Sequence, residues 1–226
     1  MVRDGIFYAL GFTAGGILIG YLANPWLGTP SVLLGGFCAW FFRDPEREVP
    51  PGKVLVSPAD GKVLVVTPEG AGLTRISIFM NVFDVHVNRS PIGGVIADIC
   101  YQKGKFMNAA LPAASMENEM NTFTVTSHGS TIVFKQIAGL IARRIVCYVK
   151  TGDRVETGQR VGLIKFGSRC DVIFGPEWNL EVTPGMRVSA GSSVLARLKE
   201  TDEPVFRDQT VDDKTATPSE VTAWRN

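Results

Sequence analysis

A Gly-Ser pair in the string Phe166-Gly167-Ser168-Arg169 could carry unusual chemistry. A serine hydroxyl can attack the carbonyl group of the residue before it, and glycine has no side chain to block the approach. The resulting ester can eliminate to dehydroalanine, and hydrolysis then leaves a pyruvoyl group. That group is an electron-accepting carbonyl, which decarboxylation of an amino acid requires. Because Gly-Ser pairs are common and most are plain turns, the surrounding elements decide the interpretation.

The bulk composition limits the classes of function. The 226 residues fit one domain with an appendage, and a hydrophobic content of 45% supports a sizeable core. A net charge of +1 gives no general signature of nucleic-acid binding. The sequence predicts no metal site and a reducing compartment, because no zinc-type spacing occurs among Cys38, Cys100, Cys147 and Cys170.

The N-terminal region is strongly apolar. Residues 5–42 contain no charged side chain. The part before a break at Asn24-Pro25 is long enough for one membrane crossing, and the part after it is too short to cross alone. The pattern favours a helical hairpin in one leaflet, or two tight passes, with Arg3 and Arg43 together on the cytoplasmic side. A cleavable signal peptide and a buried core hairpin are the alternatives.

From residue 53 onward, short β-type runs separated by turn residues replace the apolar helices. Only residues 101–120 have mixed or helical character. The sequence therefore predicts a mainly β (α+β) fold, with an antiparallel body resembling a β-sandwich or barrel-sandwich. The predicted strands cover residues 54–56, 62–67, 74–79, 122–126, 131–136 and 144–149.

An internal repeat lies in the last third of the chain. The pattern Val-x-x-Gly-x-x-Val-x-x-Gly-x-x-Val covers residues 149–161 and returns at residues 182–194. Each glycine suits a turn with positive φ, and each valine suits a buried strand position. Biotinyl and lipoyl carrier domains show this type of pattern, so the two copies could pack as halves of a small flattened barrel.

Three regions follow from these patterns. Residues 1–50 form a membrane-associated hairpin and linker, and residues 51–199 form the β domain. Residues 200–226 carry 7 acidic against 3 basic side chains and few large apolar groups. This composition predicts a disordered acidic tail.

Several strings resemble the short form of the phosphatidylserine decarboxylases. They occur in the expected order between residues 40 and 198: Ser57-Pro58-Ala59-Asp60-Gly61, the run from Phe79 to Pro91, Gln136-Ile137-Ala138-Gly139, and Phe166-Gly167-Ser168-Arg169. The resemblance implies decarboxylation of phosphatidylserine to phosphatidylethanolamine and CO2 at the cytoplasmic face of the cell membrane. It also implies a covalent pyruvoyl cofactor derived from Ser168.

The resemblance implies roles for individual residues. Self-cleavage between Gly167 and Ser168 would leave a large β chain (1–167) and a small α chain (168–226). Ser168 would then form the Schiff base with the substrate. His86 would be the base and general acid, and Asp60 would be the carboxylate that orients it. A structural histidine and a turn aspartate are the alternatives. The other histidine, His128, is predicted at an exposed hairpin tip.

Two departures from the family pattern leave questions open. Longer members have a second histidine three positions after the first, where this chain has Arg89. The family often shows Asn-Glu-Arg-Asn, where this chain reads Asn118-Glu119-Met120-Asn121. The base for self-cleavage therefore stays open, and a phosphate-binding role for the lost arginine is in doubt. Arg89 and Arg169 are the tentative substrate-binding residues.

Other interpretations also remain. An archaetidylserine substrate would need the same headgroup chemistry on an ether lipid. A carrier module would make Lys165 the acceptor of biotin or lipoyl, although its flanking residues lack the usual acceptor setting. A purely structural membrane protein is a further alternative. The sequence predicts no nucleic-acid partner and leaves homo-oligomerisation open.

Overall fold

A computed structural model describes residues 1–105, 107, 109, 117–127, 129–139, 144–165 and 168–199. Two helices come first, α1 (Arg3–Leu22) and α2 (Pro25–Phe41). The strands that follow are β1 (Val54–Val56), β2 (Gly61–Pro68), β3 (Thr74–Met80), β4 (Val87–Arg89), β5 (Gly94–Gln102), β6 (Met120–Ser127), β7 (Ser130–Ala138), β8 (Ile145–Cys147), β9 (Arg154–Val155), β10 (Arg160–Ile164), β11 (Ser168–Phe174), β12 (Trp178–Leu180), β13 (Arg187–Val188) and β14 (Val194–Leu198).

The two helices form the hairpin that the sequence predicts. Asn24 ends the turn between them, because its side-chain oxygen accepts a hydrogen bond from the Trp26 N–H at 2.9 Å, and a proline follows it at the first helical position. The two ends of the hairpin meet where the Val2 N–H donates to the Phe42 carbonyl at 3.0 Å. Arg3 and Arg43 therefore lie at the same end. By length and composition, α1 could cross a membrane.

An eight-stranded antiparallel sheet forms the centre of the body. Its strand order is β13-β2-β3-β11-β7-β6-β5-β9. Side chains alternate between the two faces of the sheet, and the even-numbered residues of β11 and β7 face the core. Phe123 and Phe134 lie opposite each other on that face, stacked with ring centroids 4.4 Å apart.

Two smaller sheets complete the body, with orders β1-β14-β12 and β4-β10-β8. Leu55 and Leu195 from the first, and Val161 and Ile164 from the second, join the same buried cluster as the main sheet. The mainly β, antiparallel fold is thus confirmed.

The repeat in the last third has a structural counterpart. Gly158 and Gly191 occupy equivalent turns, each with φ +76°. A Cβ added to either glycine would lie 3.6 Å from the Cα of the other, so the two turns contact each other directly. Val155 and Val188 are buried, as the pattern predicts.

The predicted strands are all present. Three strands that carry site residues, β4, β10 and β11, were not among the predicted runs. Most of the region with mixed character, between residues 106 and 116, lies outside the described residues, as do His128 and the tail from residue 200. Before the gap, β5 extends to Gln102, and Lys105 bridges to Asn118.

Candidate active site

Ser168 is the first residue of β11, in the middle of the main sheet. It pairs with Met80 of β3 on one side and with Ala138 of β7 on the other, and it is fully buried. Among the described residues, the one hydrogen-bond partner of its hydroxyl is the Met80 thioether, with 3.8 Å between Oγ and Sδ. Because a thioether is a weak acceptor, the described residues hold the hydroxyl only weakly. Phe166 and Gly167 lie outside the described residues.

Strand alternation explains why Ser168 points inward. Cys170, Val172 and Phe174 follow it at two-residue intervals and belong to the hydrophobic core. Ser168 continues this row at the end of the strand. The sheet therefore places the Ser168 hydroxyl at the border of the core, where bulk water is excluded.

His86 is connected to the same region through β10. The Ile164 N–H donates to the His86 carbonyl at 3.3 Å, and Ile164 ends the strand that leads into the Gly167–Ser168 bond. The ring Nδ1 lies 2.9 Å from the Asp84 carbonyl oxygen. A carbonyl can only accept, so Nδ1 carries the proton and Nε2 is the basic nitrogen.

The surroundings of His86 keep its ring neutral. The ring is almost fully buried and lies 4.4 Å from the Phe41 ring, measured between centroids. Burial lowers the pKa of His86 to about 4, against an opposing effect of the Asp84 carbonyl. Desolvation disfavours the charged ring, so the imidazole is neutral near pH 7.

Asp60 lies at a different junction. Its carboxylate accepts hydrogen bonds from Arg47 and from the Ala190 N–H, both at 2.7 Å. Within the described part of the chain, these partners take the place of the predicted contact with His86. Asp60 therefore ties the segment after the hairpin to the turn before β14.

The two arginines named as substrate ligands are both engaged in ion pairs. Arg89 is buried and donates to Asp44 at 3.2 Å and to the Gly158 carbonyl at 3.0 Å. Arg169 bonds Asp171 at 2.6 Å, and strand alternation puts it on the face of β11 opposite Ser168. The substrate-binding role of Arg89 and Arg169 stays a prediction.

Two residues that received no predicted role lie close to Ser168. Asn88 donates through Nδ2 to the Met80 sulfur at 3.7 Å, the same atom that the Ser168 hydroxyl approaches. Gln136 donates through Nε2 to the Asn88 Oδ1 at 2.8 Å. Both amides are fully buried. A sequence signal existed, since each is an uncharged polar residue at an inward-facing strand position.

The base of the hairpin closes one side of this region. Lys165, which precedes the undescribed residues 166 and 167, bonds Asp4 of α1 at 2.9 Å and lies 5.4 Å from the Tyr8 ring centroid. Phe41 and Phe42 pack in a cluster with Leu163 of β10. A cleft of about 360 Å3 lies beside this contact, lined by Val2, Arg3, Asp4, Asp44, Val87, Val146, Tyr148 and Arg160.

A metal centre finds no support in the described ranges, where no three His, Cys, Asp or Glu side chains lie together as ligands. A pyruvoyl group, by contrast, would need only the atoms of residue 168 and a dry, polar-lined setting. The buried position of Ser168 beside the Asn88 and Gln136 amides fits that requirement.

Comparison with known proteins identifies the family of the chain. Residues 34–196 match the family described as phosphatidylserine decarboxylase. The chain is 57% identical over 197 residues to the phosphatidylserine decarboxylase proenzyme of Solibacter usitatus (strain Ellin6076), covering 87% of this chain and 96% of the relative. It is 44% identical over 204 residues to the phosphatidylserine decarboxylase proenzyme of Syntrophus aciditrophicus (strain SB), covering 86% and 96%. The chain belongs to the phosphatidylserine decarboxylase family of enzymes.

Proposed function

We propose that the chain cleaves itself between Gly167 and Ser168 and that the mature enzyme converts phosphatidylserine to phosphatidylethanolamine and CO2. The observation that carries the proposal is the inward-facing, fully buried hydroxyl of Ser168 at the start of β11. The relatives' designation as proenzymes supports a processed chain.

Self-cleavage begins with the Ser168 hydroxyl and the Gly167 carbonyl. The Oγ–C bond forms, the peptide C–N bond breaks, and the proton moves from Oγ to the departing nitrogen. Neutral His86 is the base for this transfer, since its Nε2 is free of the proton that Nδ1 carries. A base then removes the Cα proton of residue 168, the Cα=Cβ double bond forms as the Cβ–Oγ bond breaks, and Gly167 leaves as a carboxylate. Water hydrolyses the dehydroalanine and releases ammonia.

The group so formed at residue 168 supplies a carbonyl that accepts the electron pair left when CO2 departs. His86 serves the second reaction as a proton carrier. It takes a proton from the ammonium group of the substrate and returns one to the carbon that has lost CO2. Because its pKa is about 4, the ring is neutral before the first transfer and is charged only between the two transfers.

A lipid substrate agrees with the position of the hairpin. The Phe41 ring packs on His86, and Asp4 of α1 bonds Lys165 next to the cleavage segment. A diacyl substrate with its tails in the bilayer would present its headgroup at the base of the hairpin. We infer that the enzyme works at the cytoplasmic face of the cell membrane, because Arg3 and Arg43 lie together at that end.

The test is the intact mass of the purified protein together with turnover of phosphatidylserine. We expect two polypeptides of 167 and 59 residues, the smaller one blocked at its N-terminus. Ser168→Ala should stay one chain and be inactive, because it has no nucleophile. Ser130→Ala, the same change at the first residue of β7, should be processed normally. An intact wild-type chain that still decarboxylates phosphatidylserine would refute the proposal.

A further inference from the structure

Two buried side-chain carbonyls lie next to each other without donors. Asn121 Oδ1 and Gln136 Oε1 are buried, and neither has a hydrogen-bond partner among the described residues. The two residues are direct cross-strand partners in β6 and β7. Their side chains therefore stand side by side on the core face of the main sheet. An unpaired buried acceptor destabilises a protein, so two adjacent ones call for an explanation.

The orientation of the Gln136 amide is determined by its neighbours. Asn88 Nδ2 donates to the Pro58 backbone carbonyl at 3.5 Å, which can only accept. Asn88 must therefore turn its own Oδ1 toward Gln136, where it accepts from Nε2 at 2.8 Å. Gln136 consequently turns its Oε1 away from Asn88, as an acceptor that remains available.

Gln136 lies beside the reactive position, and Asn121 lies one strand further away, in β6. Gln136 is paired in register with Cys170, two residues along β11 from Ser168. Ser168 and Gln136 are thus diagonal neighbours on one face of adjacent strands, within reach of a small group placed between them. The Met80 sulfur contacts both Ser168 Oγ and Asn88 Nδ2. It therefore connects the hydrogen-bonded amides of Asn88 and Gln136 to the Ser168 side chain.

We propose that Asn121 and Gln136 form the subsite for the amino group of the substrate, an inference that rests on the proposed function. An amine carries two or three N–H donors, which is what a pair of unpartnered carbonyls can bind. A carboxylate in this place would stabilise the ammonium form and raise the pKa of the amine. Neutral amide carbonyls orient the amine and leave it free to react as the unprotonated base.

The first experiment uses Gln136→Met and Asn121→Leu, which remove one acceptor each at similar size; Gln136→Met also removes the Nε2 donor to Asn88. Gln159→Met, in an exposed turn, is the matched control. Processing is followed by intact mass, and the carbonyl at residue 168 is titrated with phenylhydrazine. Phosphatidylserine in detergent micelles is then trapped on the small chain with cyanoborohydride. We expect normal processing and normal phenylhydrazine adducts. The phosphatidylserine concentration for half-maximal trapping should rise about 10- to 100-fold in each variant, as for loss of one hydrogen bond to an amine.

Gln136→Glu tests binding of the amine separately from protein stability, because a purely structural role of Gln136 would not change the pH dependence of trapping. It keeps an acceptor but adds charge, so trapping should require a higher pH than in the wild type. A further readout needs no mature enzyme. In a Ser168→Ala background, Asn121→Leu should raise the midpoint of thermal unfolding, because it removes an unpaired buried acceptor.

Three results would overturn the assignment: unchanged half-maximal trapping in both Gln136→Met and Asn121→Leu, a Gln136→Met chain that stays uncleaved, or an Asn121→Leu precursor with a lowered midpoint. A failure of the proposed function is distinguishable, because wild-type protein would then be uncleaved or would form no phenylhydrazine adduct.

Discussion

At the scale of single residues, the surroundings of His86 keep its ring neutral, which is the form that the proposed base requires. The ring lies against Phe41, and the Asp84 carbonyl holds the proton on Nδ1. Since desolvation outweighs the carbonyl, the pKa falls to about 4. A base works in its unprotonated form, so the lowered pKa extends the working range to acidic pH and activity is lost as pH falls through about 4.

This predicts the pH profile of self-cleavage. For freshly translated precursor, the cleavage rate should be level from about pH 8 down to about pH 5.5 and should halve near pH 4. His86→Ala should slow cleavage strongly, whereas His128→Ala should leave the profile unchanged. A midpoint near pH 6.5 would show instead that the ring is exposed to water when it reacts.

At the scale of elements, close glycine contacts hold the hairpin together. A Cβ added to Gly28 of α2 would lie 2.1 Å from the Gly16 carbonyl oxygen of α1, so the two backbones are in direct contact. Small residues allow such close approach between apolar helices, which have no hydrophobic driving force between them inside a bilayer.

Gly28→Ala should therefore destabilise the hairpin by about 1–3 kcal/mol, because the helices must separate to admit the methyl group. Gly15→Ala is the matched control, since a Cβ there meets no atom within 4 Å. It should be neutral or slightly stabilising, as alanine favours a helix over glycine. Thermal unfolding in detergent micelles measures both, and equal midpoints for the two variants would contradict the packing argument.

The contact between α1 and the cleavage segment predicts a coupling between the hairpin and self-cleavage. Lys165 is largely buried, and its ammonium bonds Asp4 at 2.9 Å. Asp4→Asn should slow processing about 2- to 5-fold, in line with a partly exposed ion pair worth up to about 1 kcal/mol. The exchange Asp4→Lys with Lys165→Asp should restore part of the rate.

Glu181→Gln is the control for that coupling, because it removes an ion pair with Arg197 at the surface of the β body. It should leave the rate of processing unchanged. Each single variant slows cleavage by some factor. If the exchanged double variant is slowed by the product of those two factors, then the Asp4–Lys165 pair does not act on cleavage.

At the scale of the whole molecule, a water-exposed hairpin would be costly. Phe7, Leu10, Tyr21 and Trp26 are 63%, 64%, 86% and 82% exposed, although they lie on helices with almost no charge. Burying apolar surface contributes about 25 cal/mol per Å2, so these side chains favour a lipid environment strongly.

The protein should therefore stay with membranes in high salt and in alkaline carbonate and should leave them in detergent. Fractionation followed by immunoblotting checks this. Quantitative release by salt or carbonate would argue that the hairpin is covered by protein and not by lipid.

The sequence alone determined the features that depend on local pattern. The uncharged run of residues 5–42 predicts the hairpin, because a helix without charged side chains cannot face water stably. Alternation and turn residues predict six of the strands, and the repeat predicts the positive φ of Gly158 and Gly191, since only local backbone geometry is involved. The Gly167–Ser168 bond was recognisable because its chemistry needs only two neighbouring residues and a matching motif.

The tertiary structure decided everything that depends on register and burial. Asn121, Gln136 and Ser168 come together only because β6, β7 and β11 pair in one particular alignment, and a shift by one residue would turn each side chain to the opposite face. Packing against the hairpin, distant in sequence, lowers the pKa of His86. Asp60 is hydrogen-bonded to Arg47 and Ala190, which are distant from it in sequence and are brought close by the fold. Contacts between residues far apart in the chain leave no local pattern, and for that reason only the folded structure reveals them.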